Sequence, residues 1–177
     1  DIKTVVVSCG TCYDQLQSYE FEKVFPGCRI IDIHEFLLEK GVRLEGVTGT
    51  RYMYHEPCHT PMKTYASSKV LSTLMNEELN GKVEKNDRCC GESGTLAVSR
   101  PDISTQVRFR KEEEMRRGAD ALRALPVKAA APSTPAVAPS TQAAATLPDA
   151  SAPVAVFDGP IKVLTSCPSC LQGLSRY

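Results

Sequence analysis

The sequence carries no surplus of charge: its 177 residues hold 21 Lys plus Arg against 21 Asp plus Glu. Without a basic field, nothing holds a nucleic-acid backbone or an anionic membrane surface electrostatically, so no nucleic-acid partner is expected. No apolar run approaches the roughly 18 residues that a membrane span requires, so no transmembrane segment is expected either. The opening Asp-Ile-Lys-Thr-Val-Val-Val lacks the cationic lead and small-residue cleavage site of a signal peptide. It also lacks an initiating Met and starts on a strand-like run, which reads as a piece cut from something longer. No nucleotide-binding glycine fingerprint is present. Eight cysteines are too few for a disulfide scaffold at this length, and a chain of this size buries a core without staples.

What is present is a soluble, globular composition, 42% apolar and 24% charged, with strand and helix signals in alternation. Residues 4–8, with β-branched Val5, Val6 and Val7, read as a buried strand that Cys9-Gly10 ends. Residues 29–33 repeat the strand signal after the Pro26-Gly27 turn, and residues 34–40 follow as a short helix closed by Gly41. Residues 51–55 read as a strand running into Glu56-Pro57-Cys58-His59, after which Thr60-Pro61 supplies an N-cap and first-turn proline for a helix to about residue 79. Residues 102–125 read as a long helix with Ile103, Val107, Ala119 and Leu122 inward and its charges on a solvated face. In residues 129–155, 11 Ala, 5 Pro and 6 Ser or Thr accompany a single charge, Asp149, which reads as a disordered insertion. Residues 161–166 form another strand signal, with Leu171 and Leu174 opening a helix. The expected fold is α/β, a parallel Rossmann-like sheet with flanking helices and the cysteines at the carboxyl ends of the strands.

The cysteines lie at Cys9, Cys12, Cys28, Cys58, Cys89, Cys90, Cys167 and Cys170. Two CxxC pairs and one adjacent pair form a ligand pattern. The CxxC segments repeat each other at an offset of 158: Val5, Val6, Ser8, Cys9, Cys12 and Leu16 fall on Val163, Leu164, Ser166, Cys167, Cys170 and Leu174. A strand ending in Ser-Cys-x-x-Cys is thus used twice. Residues 1–50 read as the carboxyl-terminal part of a first module and residues 51–177 as a complete second one. The second module gathers Cys58, Cys89, Cys90, Cys167 and Cys170, a soft thiolate set suited to zinc or to an iron-sulfur cluster. Five cysteines with an adjacent pair exceed what one tetrahedral ion accepts, which favours a cluster; zinc and a set of buried structural thiols remain the alternatives.

Cys58, then Cys89-Cys90-Gly91-Glu92-Ser93-Gly94-Thr95, then Cys167-Pro168-Ser169-Cys170 resembles the CCG cysteine-rich domain of heterodisulfide reductase B subunits and of the iron-sulfur components of glycolate, D-lactate and glycerol-3-phosphate oxidizing enzymes. The resemblance covers residues 51–177. The gap of 76 residues before Cys167 exceeds the family spacing, and setting aside residues 126–159 leaves 42. Gly-Glu-Ser-Gly-Thr and the following Pro101-Asp102-Ile103-Ser104 look most like members that work with an FAD-linked oxidase. The resemblance implies an iron-sulfur centre of the 4Fe-4S type on Cys58, Cys89, Cys90, Cys167 and Cys170. It implies electron relay from a flavoprotein that oxidizes a 2-hydroxy acid to a downstream acceptor, in the cytoplasm or peripheral at the inner face of the membrane. As part of an oxidoreductase, the isolated piece is not expected to be catalytic alone. Disulfide reduction at the cluster, or a non-redox zinc-binding interaction module, are the rival functions.

Cys9 and Cys12 stand as a half-site for metal or as a redox pair, and Cys28 as an ordinary buried cysteine. His55 and His59 flank Cys58, and either is read as a hydrogen-bond donor to a cluster sulfur that raises its potential, or as a helix-entry residue. Gly91 and Gly94 are read as letting amides approach the thiolates. Glu92, Arg100 and Asp102 are read as a docking surface or as plain exposed charge.

Overall fold

The computed structural model describes residues 2–44, 49–77, 82–92, 95–126 and 157–177. The α/β class holds, with every strand pairing parallel. The strands divide into two sheets. The first pairs β1 (Thr4–Val7) with β2 (Arg29–Asp32), in register Val5 to Ile30. Helices α1 (Gly10–Ser18) and α2 (Phe21–Val24) connect them, and α3 (Ile33–Glu39) follows, capped by Asp32, whose carboxylate accepts from the His34 amide at 2.8 Å. With one partner strand only, β1 is not fully covered: Val6 is 38% exposed, against the expectation of a buried strand.

The second sheet has the order β4-β3-β5, from β3 (Arg51–His55), β4 (Glu84–Asn86) and β5 (Ile161–Thr165). Central β3 is buried along its whole length, as a parallel strand covered on both faces must be. Its alternate residues show what covers each face. Tyr54 packs with Val70, Leu71 and Leu74 of α4 (Ser67–Leu74), and Leu37 and Leu38 of α3 join the same core. On the opposite face lies α6 (Pro101–Ala124), which follows the short α5 (Leu96–Ser99) and Pro101 at its first turn. There Arg51 closes the carboxyl end of α6: its guanidinium donates to the carbonyls of Leu122, Leu125 (3.0 Å) and Pro126 (3.0 Å), and it stacks 4.0 Å from the Phe157 ring. A cation at a helix carboxyl terminus satisfies orphan carbonyls and the helix dipole together.

Three local readings are corrected. The helix after Pro61 begins at Ser67, because the buried Glu35 carboxylate accepts from the amides of Thr64 (2.6 Å) and Tyr65 (2.7 Å) and holds that stretch out of helix. The buried residues of α6 are Ser104, Lys111, Gly118 and Leu122, so Leu122 is inward as expected, while Ile103 is 38% exposed and Val107 and Ala119 are half-buried; a Cβ at Gly118 would meet Met53 Sδ at 2.9 Å, so the helix crosses β3 closely there. Strand β4, Glu-Lys-Asn, carries no apolar signal, and backbone pairing with β3 defines it. Helix α7 (Pro168–Leu174) follows β5.

The two sheets share a boundary. Gly10 packs so tightly on the backbone of His59 that a Cβ there would sit 1.6 Å from the His59 carbonyl oxygen. Asp14 of α1 pairs with His59 Nδ1 at 2.9 Å and with Lys63 at 3.2 Å.

Candidate metal centre

Strands β3, β4 and β5 are parallel, so their carboxyl ends share one edge of the sheet, where loops leave a crevice. Cys58 follows β3, Cys89 and Cys90 follow β4, and Cys167 follows β5, so three segments distant in sequence converge there. Cys90 and Cys170 are buried with their sulfurs 3.5 Å apart, and Cys167 packs against them beside Leu174 and Met115. Cys58 interacts with the Cys89 thiol, and Cys89 in turn with Cys90. The five expected ligands are thereby brought together. All eight cysteines are free thiols.

The thiols oppose one another's ionisation. The Cys90 thiol and burial push Cys89 above the ordinary thiol range; burial and Cys89 raise Cys58; and the Cys170 thiol raises Cys90. A cationic centre reverses this, since metal binding deprotonates its thiol ligands. The Gly91 amide donates to Cys89 Sγ at 3.4 Å, as the approach of amides to thiolates requires. Gly91 has φ +80°, and a Cβ on it would meet Arg108 Cγ at 2.7 Å, so backbone and packing both demand glycine. Gly94 lies outside the described residues.

The two histidines part company. His59 is exposed, its side chain 65% accessible, and it turns to Asp14 and not to the thiols. His55, the last residue of β3, is fully buried, and one of its ring nitrogens lies within 4.8 Å of both Cys90 Sγ and Cys170 Sγ. Neither ring nitrogen has a hydrogen-bond partner. Burial, reinforced by the nearby Lys111 charge, lowers the imidazole to about 4.

Lys111 is the residue that reading the sequence missed. On a helix dense in charge it passed as one more solvated cation, yet its side chain is completely buried. Its ammonium donates to Asn86 Oδ1 and, at 2.9 Å, to Glu114 Oε2. Asn86 stands opposite His55 in the β3–β4 register, and the buried Lys111 lies near enough to the thiol crevice to interact with Cys58 and Cys90. Its heptad spacing from Ser104 and Gly118 was the available signal.

Other expected residues fall elsewhere. Glu92 is buried and pairs with Arg176 at 3.0 Å, tying the Cys-Cys-Gly loop to the end of α7 and not to a docking surface. Arg100 and Asp102 are exposed and pair with each other at 2.8 Å. Cys28 is buried beside its own strand, as expected. Cys9 and Cys12 form a separate pair: the Cys12 amide donates to Cys9 Sγ at 3.4 Å, and Cys12 is exposed. Burial works against ionisation of Cys9, but hydrogen bonds from Cys12 and Thr11 outweigh it and hold that thiol below its ordinary value. Its hydrogen bond with Cys9 raises Cys12. Beside Cys89 on the outer side, a groove of about 550 Å³ is lined by Arg88, Val107, Arg110 and Glu113. Among the described residues no helix is long and apolar enough to cross a membrane.

The family model described as Cysteine-rich domain, CCG, matches residues 52–124. The B subunit of a fumarate reductase (CoM/CoB) from Methanothermobacter marburgensis is 25% identical over 119 residues, 64% of this chain and 24% of the relative. An uncharacterized iron-sulfur protein of Methanocaldococcus jannaschii is 29% identical over 110 residues, covering 60% and 21% of the two chains. Another, from Methanococcus maripaludis, is 26% identical over 113 residues, covering 63% and 22%. The chain therefore spans less than a quarter of the length of the relatives it matches. No solved structure matches at a significant level.

Proposed function

We propose, from the match of residues 52–124 to the cysteine-rich domain of the CCG type, that the chain holds an iron-sulfur cluster of the 4Fe-4S type and relays electrons. The ligands are Cys58, Cys89, Cys90, Cys167 and Cys170. The observation that carries this reading is their convergence from three parallel strand ends into one partly buried crevice. The donor set fits: it offers soft sulfur ligands, adjacent cysteines that reach different points of a multinuclear centre, and a buried imidazole whose nitrogens lack partners. Such a centre, when bound, supplies one-electron redox chemistry. The protein's residues hold it, exclude water on the Cys90 and Cys170 side, and place Lys111 as a fixed positive charge nearby.

Electrons enter from a reduced flavin on an upstream domain or partner flavoprotein and leave to a downstream acceptor, with no bond to the protein made or broken. The parent activity is oxidation of a 2-hydroxy acid of the D-lactate or glycolate type by an FAD-linked enzyme. Its setting is the cytoplasm or the inner face of the membrane. The sequence motif Gly-Glu-Ser-Gly-Thr supports this assignment over others in the family.

One observation favours a second reading, in which the centre acts directly on a small substrate. The groove beside Cys89 gives a molecule access to one ligand of the centre, and one relative is named a fumarate reductase (CoM/CoB) subunit. The test is anaerobic reconstitution with iron and sulfide, followed by mixing with a flavoprotein reduced by its hydroxy acid. Relay predicts bleaching of the visible absorption by the reduced flavoprotein and no turnover of a low-molecular-weight disulfide. Steady disulfide reduction from an artificial donor would overturn relay in favour of the second reading. Zinc without sulfide would remove both.

A further inference from the structure

His55 is the last residue of the central strand, paired with Asn86 on one side and Thr165 on the other. Its ring cannot swing to solvent. Both nitrogens are buried without a partner, an arrangement that proteins avoid unless a group completing the site supplies the bond. No acceptor for the ring N–H is left on Asn86 or Lys111: Asn86 Oδ1 accepts from Lys111, the Lys111 ammonium also serves Glu114, and the unpartnered Asn86 amide nitrogen can only donate. What the ring does face is sulfur: one nitrogen, Cys90 Sγ and Cys170 Sγ lie within 4.8 Å of one another.

We infer that His55 is a positioning residue of the centre, donating an N–H hydrogen bond to the metal-bound sulfur of Cys90 or Cys170 and thereby raising the centre's reduction potential. An imidazole always carries at least one N–H, and a metal-bound thiolate is an anionic acceptor for it. Drawing charge from a ligating sulfur stabilises the reduced state, the lever by which hydrogen bonds to sulfur tune such centres. Five cysteines already provide the anionic ligands, which leaves the ring the donor role and not a coordination position. The exposed His59, engaged with Asp14, has no comparable reach.

This inference rests on the cluster reading above, and the experiment separates the two. The full chain, labelled with ¹⁵N-histidine, is reconstituted anaerobically with iron and sulfide, and its paramagnetic state is examined by pulsed EPR alongside a redox titration. A weak histidine-nitrogen coupling is expected in the unaltered protein. His55→Leu loses that coupling and titrates at a more negative potential with iron and sulfide content unchanged, while His55→Gln, whose amide donates, restores part of the shift. Absence of any histidine coupling in the unaltered protein overturns the inference even if the variants fail to fold. So does a His55→Leu potential equal to that of the unaltered protein. A strong coupling, typical of a directly bound nitrogen, overturns it in favour of ligation. Failure of the unaltered chain to take up iron and sulfide instead defeats the cluster reading, and this inference falls with it.

Discussion

The two CxxC segments share their local design and differ in their company. Each follows a parallel strand and places its first cysteine at a helix N-cap: Cys9 for α1 and Cys167 for α7. Around Cys170, the three-stranded sheet delivers the loops after β3 and β4 to the same edge, so three further thiols arrive from elsewhere in the chain. Among the described residues β1, which leads to Cys9 and Cys12, pairs with β2 alone, and β2 runs straight into α3 through Asp32, which caps that helix. A strand, a turn and a helix suffice to make a pair of thiols. A multinuclear site needs several parallel strand ends at one edge, which is a property of topology and not of the motif.

The largest effect that tests this contrast is loss of the metal. Cys90→Ser or Cys170→Ser should abolish iron and sulfide uptake by the reconstituted chain, because each removes a buried ligand facing His55. Cys9→Ser with Cys12→Ser should leave uptake unchanged. Equal losses from both sets, read by iron and acid-labile sulfide analysis, would mean that the segments work as one site.

Next in size is the joint between them. A Cβ at residue 10 would lie 1.6 Å from the His59 carbonyl oxygen, so Gly10→Ala forces the Cys9 helix off the Cys58 loop. Overpacking of this kind costs up to about 3 kcal/mol. Denaturant unfolding of the metal-free chain should show that loss, and an unchanged midpoint would mean that the two units do not bear on each other.

The features legible in the sequence were those with a strong local signature. Val5 to Val7, Ile30 and Ile31, and the Ser-Cys-x-x-Cys repeat announced strands with cysteines at their ends, and these elements stand within a residue of where they were expected. The candidate ligand set was legible because cysteine has few reasons to occur as adjacent pairs. Lys111 was not, since a buried lysine in a charge-dense helix looks like its exposed neighbours until the packing of α6 on β4 is known. The late start of α4 was hidden for a related reason: Thr60-Pro61 is a sound local helix opening, overridden by Glu35, a buried carboxylate 29 residues away from Thr64. His55 and His59 were equal candidates in the sequence because both flank Cys58. Only the strand register puts His55 inside and His59 out.

The third test uses residues 129–155, the Ala/Pro-rich stretch expected to be an insertion. Pro126 and Phe157, the described residues that bracket residues 127–156, both meet the Arg51 guanidinium, and the Phe157 amide donates to the Arg123 carbonyl at 3.3 Å. The ends are thus held together by contacts that lie outside residues 129–155. Closure entropy grows logarithmically, at about 0.6 kcal/mol per doubling of loop length, so replacing residues 129–155 by a short Gly/Ser loop should stabilise the chain by about 1 kcal/mol. Iron and sulfide uptake should be unchanged. Loss of uptake would make the segment a structural part of the centre.

The smallest effect concerns how each sheet is held. In the first, Arg29 of β2 clasps Glu39 at the end of α3 in a two-pronged pair, with contacts of 3.0 and 2.6 Å. The Arg29 guanidinium holds the Glu39 carboxyl below its ordinary value, so the unfolded chain takes up that proton at a higher pH than the folded one. The contribution is therefore fully present above the ordinary carboxylate range and is lost as pH falls through the lowered folded value. Exposure and salt screening keep it small. Hydrogen exchange in the metal-free chain should show β1 and β2 opening slightly more readily as pH drops from about 5 to 3, once exchange is corrected for its intrinsic pH dependence. Glu39→Gln should give the same opening at neutral pH and remove that part of the acid response. Strand β3, whose Arg51 is satisfied by backbone carbonyls that do not titrate, should show no such component from Arg51. An acid response of β1 and β2 unchanged in Glu39→Gln would assign it to another carboxylate, with Asp14, held low chiefly by His59, the next to substitute.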